Sequence, residues 1–139
     1  MNEYLLCRCA DYRLLLDARQ VDEVEEVRQT TASGHRQWRD EKLPVIDMSE
    51  VLGVQPESPR HQIVCRETPD EDAQRFILEV DQAMDLYHHR AEDFMRFPPV
   101  SPFVAECFDG AVPDPETGTC IYRLRLPPPH HKGTETALA

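Results

Sequence analysis

Cys7 and Cys9, two apart in the run Tyr4-Leu5-Leu6-Cys7-Arg8-Cys9, and the adjacent pairs His88-His89 and His130-His131 are the side chains best suited to hold a metal. On a strand, Leu5, Cys7 and Cys9 share one face and Tyr4, Leu6 and Arg8 the other, so both thiols point the same way. A soft-metal site would need more ligands, and no second Cys pair supplies them; the stronger reading is that these thiols are small buried hydrophobes. Adjacent histidines diverge by about 100 degrees on a helix and face opposite sides of a strand. Asp85 with His88, and His89 with Asp93, would share a helical face, but each is a set of two ligands only; Glu92 lies nearby. A small β-barrel that binds a ligand or metal through Cys7, Cys9, His88 and His89 is the alternative to the reading developed below; no metal site and no cofactor are expected.

Covalent chemistry has even less support. A nucleophilic Ser or Cys needs a histidine base and usually a group that orients it, and the sequence has no Gly-x-Ser-x-Gly elbow. A phosphate-cradling glycine loop, a dinucleotide fingerprint and a His-Glu-x-x-His pair are also missing. Acids are plentiful, but the run at 22–26 reads as a solvated face, not as a carboxylate pair with separated pKa values. The expectation is a protein that is not an enzyme.

Composition supports this. In 139 residues, 15 Lys and Arg stand against 26 Asp and Glu, a net charge of −11 that would repel a polyanion. No apolar run approaches the roughly 20 residues needed to span a bilayer, and Met-Asn-Glu-Tyr is no secretory start. A soluble cytoplasmic protein is expected. Its 5 cysteines are an odd, scattered set, so no disulfide framework is expected either.

The elements that must position any site read as short strands. Tyr4–Cys9 and Tyr12–Leu16 flank the tight turn Ala10-Asp11. Residues 17–28 allow either a short helix or a turn running into a strand, the second being favoured. Leu43–Ile46 is a strand entered through Pro44, followed by a cap at Asp47 or Ser49, a helical turn at Glu50–Leu52 and a closing Gly53. Gln62–Arg66 and Phe76–Val80 are strands; residues 81–95 hold a short helix or an irregular strand. Phe103–Phe108 and Thr119–Leu126 are the last two strands, and the tail 127–139 is expected to be disordered. With 12 prolines gathered at the connections, the pattern predicts an all-β barrel or sandwich.

What remains for function is surface. Trp38 and Arg39 belong to the residue types enriched in binding hot spots, although a lone tryptophan can equally be a core plug. Phe94, Phe97, Phe103 and Phe108 read as core.

The order of these elements resembles the CheW-like adaptors of bacterial chemosensory systems. Tyr4–Cys9, Tyr12–Leu16 and Val21-Asp22-Glu23-Val24 resemble the opening strands and the Val-x-Glu-Val step of that family. Its signature, Asn-Leu-Arg-Gly, three residues, then Pro-Val-Val-Asp-Leu and a leucine-glycine close, stands here as Gln37-Trp38-Arg39-Asp40, Glu41-Lys42-Leu43, Pro44-Val45-Ile46-Asp47-Met48 and Leu52-Gly53. Ile63-Val64-Cys65, Phe76–Asp81 and Met84 are similar to its second hairpin. Three departures stand out: a shortened loop at Gln29–Arg36, Asp40 in place of the usual glycine, and no closing helix after Leu126.

The resemblance implies a mostly all-β fold of two small SH3-like five-stranded barrels packed together, with short helical turns. It implies a CheW-like domain over 4–126, with intertwined subdomains at roughly 15–65 and at 66–126 plus the N-terminal strand. It implies a noncatalytic scaffold that couples a methyl-accepting chemoreceptor to the regulatory domain of a CheA-type histidine kinase, in the cytoplasm or at the inner face of the membrane through receptor arrays. Arg39 matches the family's receptor-coupling arginine and Val45, Ile46 and Asp47 the strand beside it. Together with Trp38 these are the expected partner-binding residues. Asp40 and the shortened loop alter the neighbourhood of the residues that match receptor coupling.

Overall fold

The computed structural model describes residues 1–27, 34–57, 59–95 and 106–129. Period-two alternation in the first segment produces β1 (Asn2–Cys9), which turns at Ala10-Asp11 into β2 (Tyr12–Asp17). As the alternation predicts, Leu5, Cys7 and Cys9 enter the main core with Leu14 and Leu16, while Tyr4, Leu6 and Leu15 face a second cluster. Both faces of the hairpin are thus covered. Full burial of each leucine at 14–16 stabilises the fold by about 2 kcal/mol.

A 3-10 turn at Ala18–Gln20 leads into β3 (Val21–Val27), which settles the helix-or-strand choice in favour of the strand. Then come β4 (His35–Trp38), β5 (Glu41–Asp47), the helical turn α1 (Met48–Leu52), β6 (Arg60–Arg66) and β7 (Arg75–Val80). Asp47 caps α1 by accepting from the Ser49 N–H at 3.0 Å, and Gly53 closes it with φ +69, a left-handed backbone that glycine adopts without strain. After Asp81 the chain crosses to β8 (Gln82–His89), followed by β9 (Phe108–Pro113) and β10 (Cys120–Leu124).

The strands form two five-stranded sets, ordered β8-β1-β2-β10-β9 and β3-β6-β7-β5-β4. They are the two small barrels expected, with the main core of Leu14, Leu16, Ile63, Leu78 and Val80 shared between them. Each set contains one parallel pair, β2 with β10 and β5 with β7.

Three sequence readings need correction. The boundary between the two sets falls at Asp81 and not at 65/66, because β7 pairs with both β6 and β5; the second set instead takes β1 and β2 whole. The reading of residues 81–95 as a short helix or an irregular strand holds: β8 pairs with β1 with a register shift between Leu5 and Cys7, and a 3-10 turn follows at Ala91–Asp93. The last hairpin begins at Phe108, later than expected, and β10 ends at Leu124. The tail is placed through Pro129, with Pro128 fully buried. Phe97, Phe103, His130, His131 and the shortened loop from 29 to 33 lie outside the described residues.

Candidate partner-binding surface

The hairpin β4–β5 is built around one strained residue. Trp38 pairs with Glu41, which leaves Arg39 and Asp40 as a two-residue turn. Arg39 adopts φ +53, in the left-handed region, at a cost of about 1 kcal/mol for a residue with a Cβ. Asp40 does not share that conformation, so an aspartate in place of the family's glycine adds no left-handed strain there. Several interactions hold the turn. Gln37 Nε2 donates to the Arg39 carbonyl at 2.8 Å, and the guanidinium lies over the Trp38 ring, 4.4 Å from its centroid. Arg39 Nη2 also reaches Glu23 Oε1 at 3.1 Å.

Glu23 is shared. Its other oxygen accepts from Trp38 Nε1 at 2.7 Å, and these bonds from Trp38 and then Arg39 hold its carboxyl below the usual glutamate range. Arg75 lies 5.8 Å from the Trp38 ring centroid. Trp38 itself is buried with Leu43, Val64 and Ile77, and Val45 packs partly against that cluster. The result is an arginine side chain 67% exposed on a fixed aromatic platform.

The remaining expected binding residues are placed differently. Ile46 is buried in the main core, and Asp47 is half-buried, occupied in capping α1 and in a 3.0 Å ion pair with Arg60. Of Trp38, Arg39, Val45, Ile46 and Asp47, the structure therefore brings all five into one hairpin and its continuation but displays only Arg39 openly. Glu23 and Arg75 escaped sequence reasoning because they come from other strands, β3 and β7; the acid at 23 was legible only as part of a charged run.

The metal candidates do not converge. Cys7 and Cys9 are fully buried in the core, and burial, reinforced by nearby charge, raises both thiols, Cys9 to about 12. Such groups stay protonated at neutral pH and are poor ligands. His88 and His89 point to opposite sides of β8, toward Glu3 at 3.2 Å and Asp93 at 3.3 Å. Among the described residues no three His, Cys, Asp or Glu side chains gather as metal ligands would. A cavity of about 390 Å³ lies elsewhere, lined by Tyr4, Asp17, Arg19, Asp109 and Arg123. Two of its arginines are already paired, Arg19 with Asp17 and Arg123 with Asp109. No helix among the described residues is long and apolar enough to cross a membrane.

The family profile of the CheW-like domain matches residues 3–115. This chain belongs to the CheW-like family. The crystal structure of the scaffolding protein TtCheW from Thermoanaerobacter tengcongensis has a similar fold, with a TM-score of 0.71 and 18% identity over 90% of this chain and 89% of that one. Among curated proteins none matches this sequence. The CheW-like match encloses the whole β4–β5 hairpin and ends before β10, whose parallel pairing with β2 nevertheless completes its sheet.

Proposed function

We propose that this CheW-like chain is a noncatalytic adaptor of a bacterial chemosensory pathway, working in the cytoplasm and recruited to the inner face of the membrane through receptor arrays. One surface would engage a methyl-accepting chemoreceptor and another the regulatory domain of a CheA-type histidine kinase. Family membership over residues 3–115 supports the adaptor class. The observation that carries the site is Arg39: a non-glycine residue at φ +53 whose guanidinium is held over Trp38 and still largely exposed. Backbone strain retained at an exposed, oriented cation fits recognition better than stability.

The mechanism is positional. Tethering two partners raises their effective concentration, and a receptor shift then biases the kinase between states it already populates. Arg39 is the direct contact in this reading; Trp38 and Glu23 orient it, and Val45, Ile46 and Asp47 anchor the strand beneath. The test is a pull-down from native lysate with tagged full-length protein and with Arg39→Glu, partners being identified by mass spectrometry. Recovery of a CheA-type kinase or chemoreceptor by the wild type, with at least one of them lost from the variant, is the expected result. Recovery of neither by the stably folded wild type would overturn the adaptor reading.

A further inference from the structure

An ion network beneath the Arg39 hairpin runs from one strand set to the other. Arg36, on β4 and two residues before Trp38, donates to Gln62 Oε1 at 2.6 Å and to Glu79 Oε2 at 3.1 Å. The other oxygen of Glu79, a residue only 2% exposed, accepts from Arg60 Nη1 at 3.1 Å. Arg60, 3% exposed, also meets Asp47 at 3.0 Å, and its Nε lies 3.4 Å from Asp81 Oδ1. Asp81 sits at the crossover between the sets and accepts from the N–H of Ala10 at 2.7 Å and of Glu57 at 3.0 Å. Among the described residues this series links Arg36 to the β1–β2 turn.

Arg60 is unevenly used. Its Nη1 serves both Asp47 and Glu79, while among the described residues the buried Nε and Nη2 have no hydrogen-bond partner, Nε standing only in ion-pair range of Asp81. Unsatisfied buried donors are costly, and a guanidinium reads a carboxylate best with two of its nitrogens at once. A small rotation that brings Nε and Nη2 onto Asp81 would satisfy them and loosen Asp47 and Glu79. Two arrangements of one side chain, with opposing effects on its neighbours, are what energetic coupling between sites requires.

We infer that Arg60 is a shared counter-ion through which the Arg39 hairpin and the β1–β2 turn respond to one another, with Arg36, Glu79 and Asp81 as positioning residues. Its use in signalling rests on the adaptor reading; the coupling itself is a property of the free chain and is tested without a partner. The experiment is amide hydrogen exchange on full-length Arg36→Met, comparing the Ala10 amide with that of Val112 in the same strand set. The expected result is that Ala10 exchange accelerates about threefold to tenfold relative to Val112. Arg66→Met, which cuts an unrelated ion pair to Asp22, should leave that ratio unchanged. Should Arg36→Met fail to fold, Arg36→Lys keeps the charge but loses the planar two-point grip, and the same ratio is read. An unchanged ratio in the Arg36 variant, or an equal rise in Arg66→Met, overturns the coupling and leaves the adaptor reading intact.

Discussion

The two strand sets contain equivalent hairpins that are used differently. In one, β1 turns at Ala10-Asp11 into β2, which pairs in parallel with β10; in the other, β4 turns at Arg39-Asp40 into β5, which pairs in parallel with β7. The first turn residue is left-handed in both, φ +52 at Ala10 and +53 at Arg39, and among the described residues no other non-glycine has a positive φ. Ala10 has a short side chain, and its N–H is fixed by the buried carboxylate of Asp81. Arg39 instead places a cation outside, steadied by Trp38 and Glu23. The strained turn thus belongs to the fold, whereas the proposed recognition role rests on the side chain that it carries at Arg39. Strain alone does not distinguish the two turns; strain with an oriented, exposed charge is found only at Arg39 of the two.

The largest way to break this comparison is to remove the anchor of the inner turn. Asp81→Ala strands the Ala10 and Glu57 amides and takes a counter-ion from Arg60, which should cost about 3–5 kcal/mol in urea unfolding. A loss below about 1 kcal/mol would show that the inner turn does not depend on it. Trp38→Ala empties the buried cluster beneath the outer turn and should cost about 3 kcal/mol, leaving the Arg39 guanidinium without the ring it stacks on.

Asp22, beside Glu23 on β3, sharpens the picture through pH. Burial raises its proton affinity, but hydrogen bonds from Arg66 and Arg75 outweigh burial and keep its carboxyl below the ordinary aspartate range. A depressed folded-state value means that the contribution is complete above the unfolded-chain value of about pH 4 and is lost as pH falls through the folded one. Asp22→Asn should therefore destabilise by about 1–2 kcal/mol at neutral pH and flatten the acid limb of a stability profile. A profile parallel to wild type would remove Asp22 from the account.

The smallest effects compare the turns directly. Ala10→Gly should stabilise by up to about 1 kcal/mol, since glycine meets the left-handed backbone without a Cβ. Arg39→Gly relieves the same strain but loses the Trp38 stack and the Glu23 pair, so its midpoint should fall below that of Ala10→Gly. Equal gains at both positions would mean that the arginine side chain contributes nothing to holding the turn.

Much of this was legible in the sequence because the governing signals are local. Alternation in Tyr4–Cys9 placed the core faces of β1, and Asp47, Ser49 and Gly53 announced the capped turn of α1. The Pro44–Asp47 block led to the hairpin that carries Arg39. What the sequence concealed depends on pairing at a distance. That β7 joins β5 in parallel moved the boundary to Asp81, and no local feature near 65/66 could report it. Arg60 lies just before the strand read at Gln62–Arg66 and becomes a buried hub through carboxylates 13 residues back and about 20 ahead in the chain. The one hint was Glu79, a charge inside the apolar run Phe76–Val80, where burial demands a partner. Residues 82–89 were ambiguous because β8 is half-exposed and pairs with the edge of β1 through a shift in register.

The most direct test is a titration of wild type and Arg39→Glu against a purified chemoreceptor signalling tip and a CheA-type regulatory domain, with urea unfolding of both proteins alongside. The account predicts that the variant loses at least about tenfold in affinity for one of these partners, in line with removal of a hot-spot arginine, while its stability stays within about 1 kcal/mol of wild type. Unchanged affinity for both partners in a stably folded variant would contradict the assignment of this turn to partner recognition.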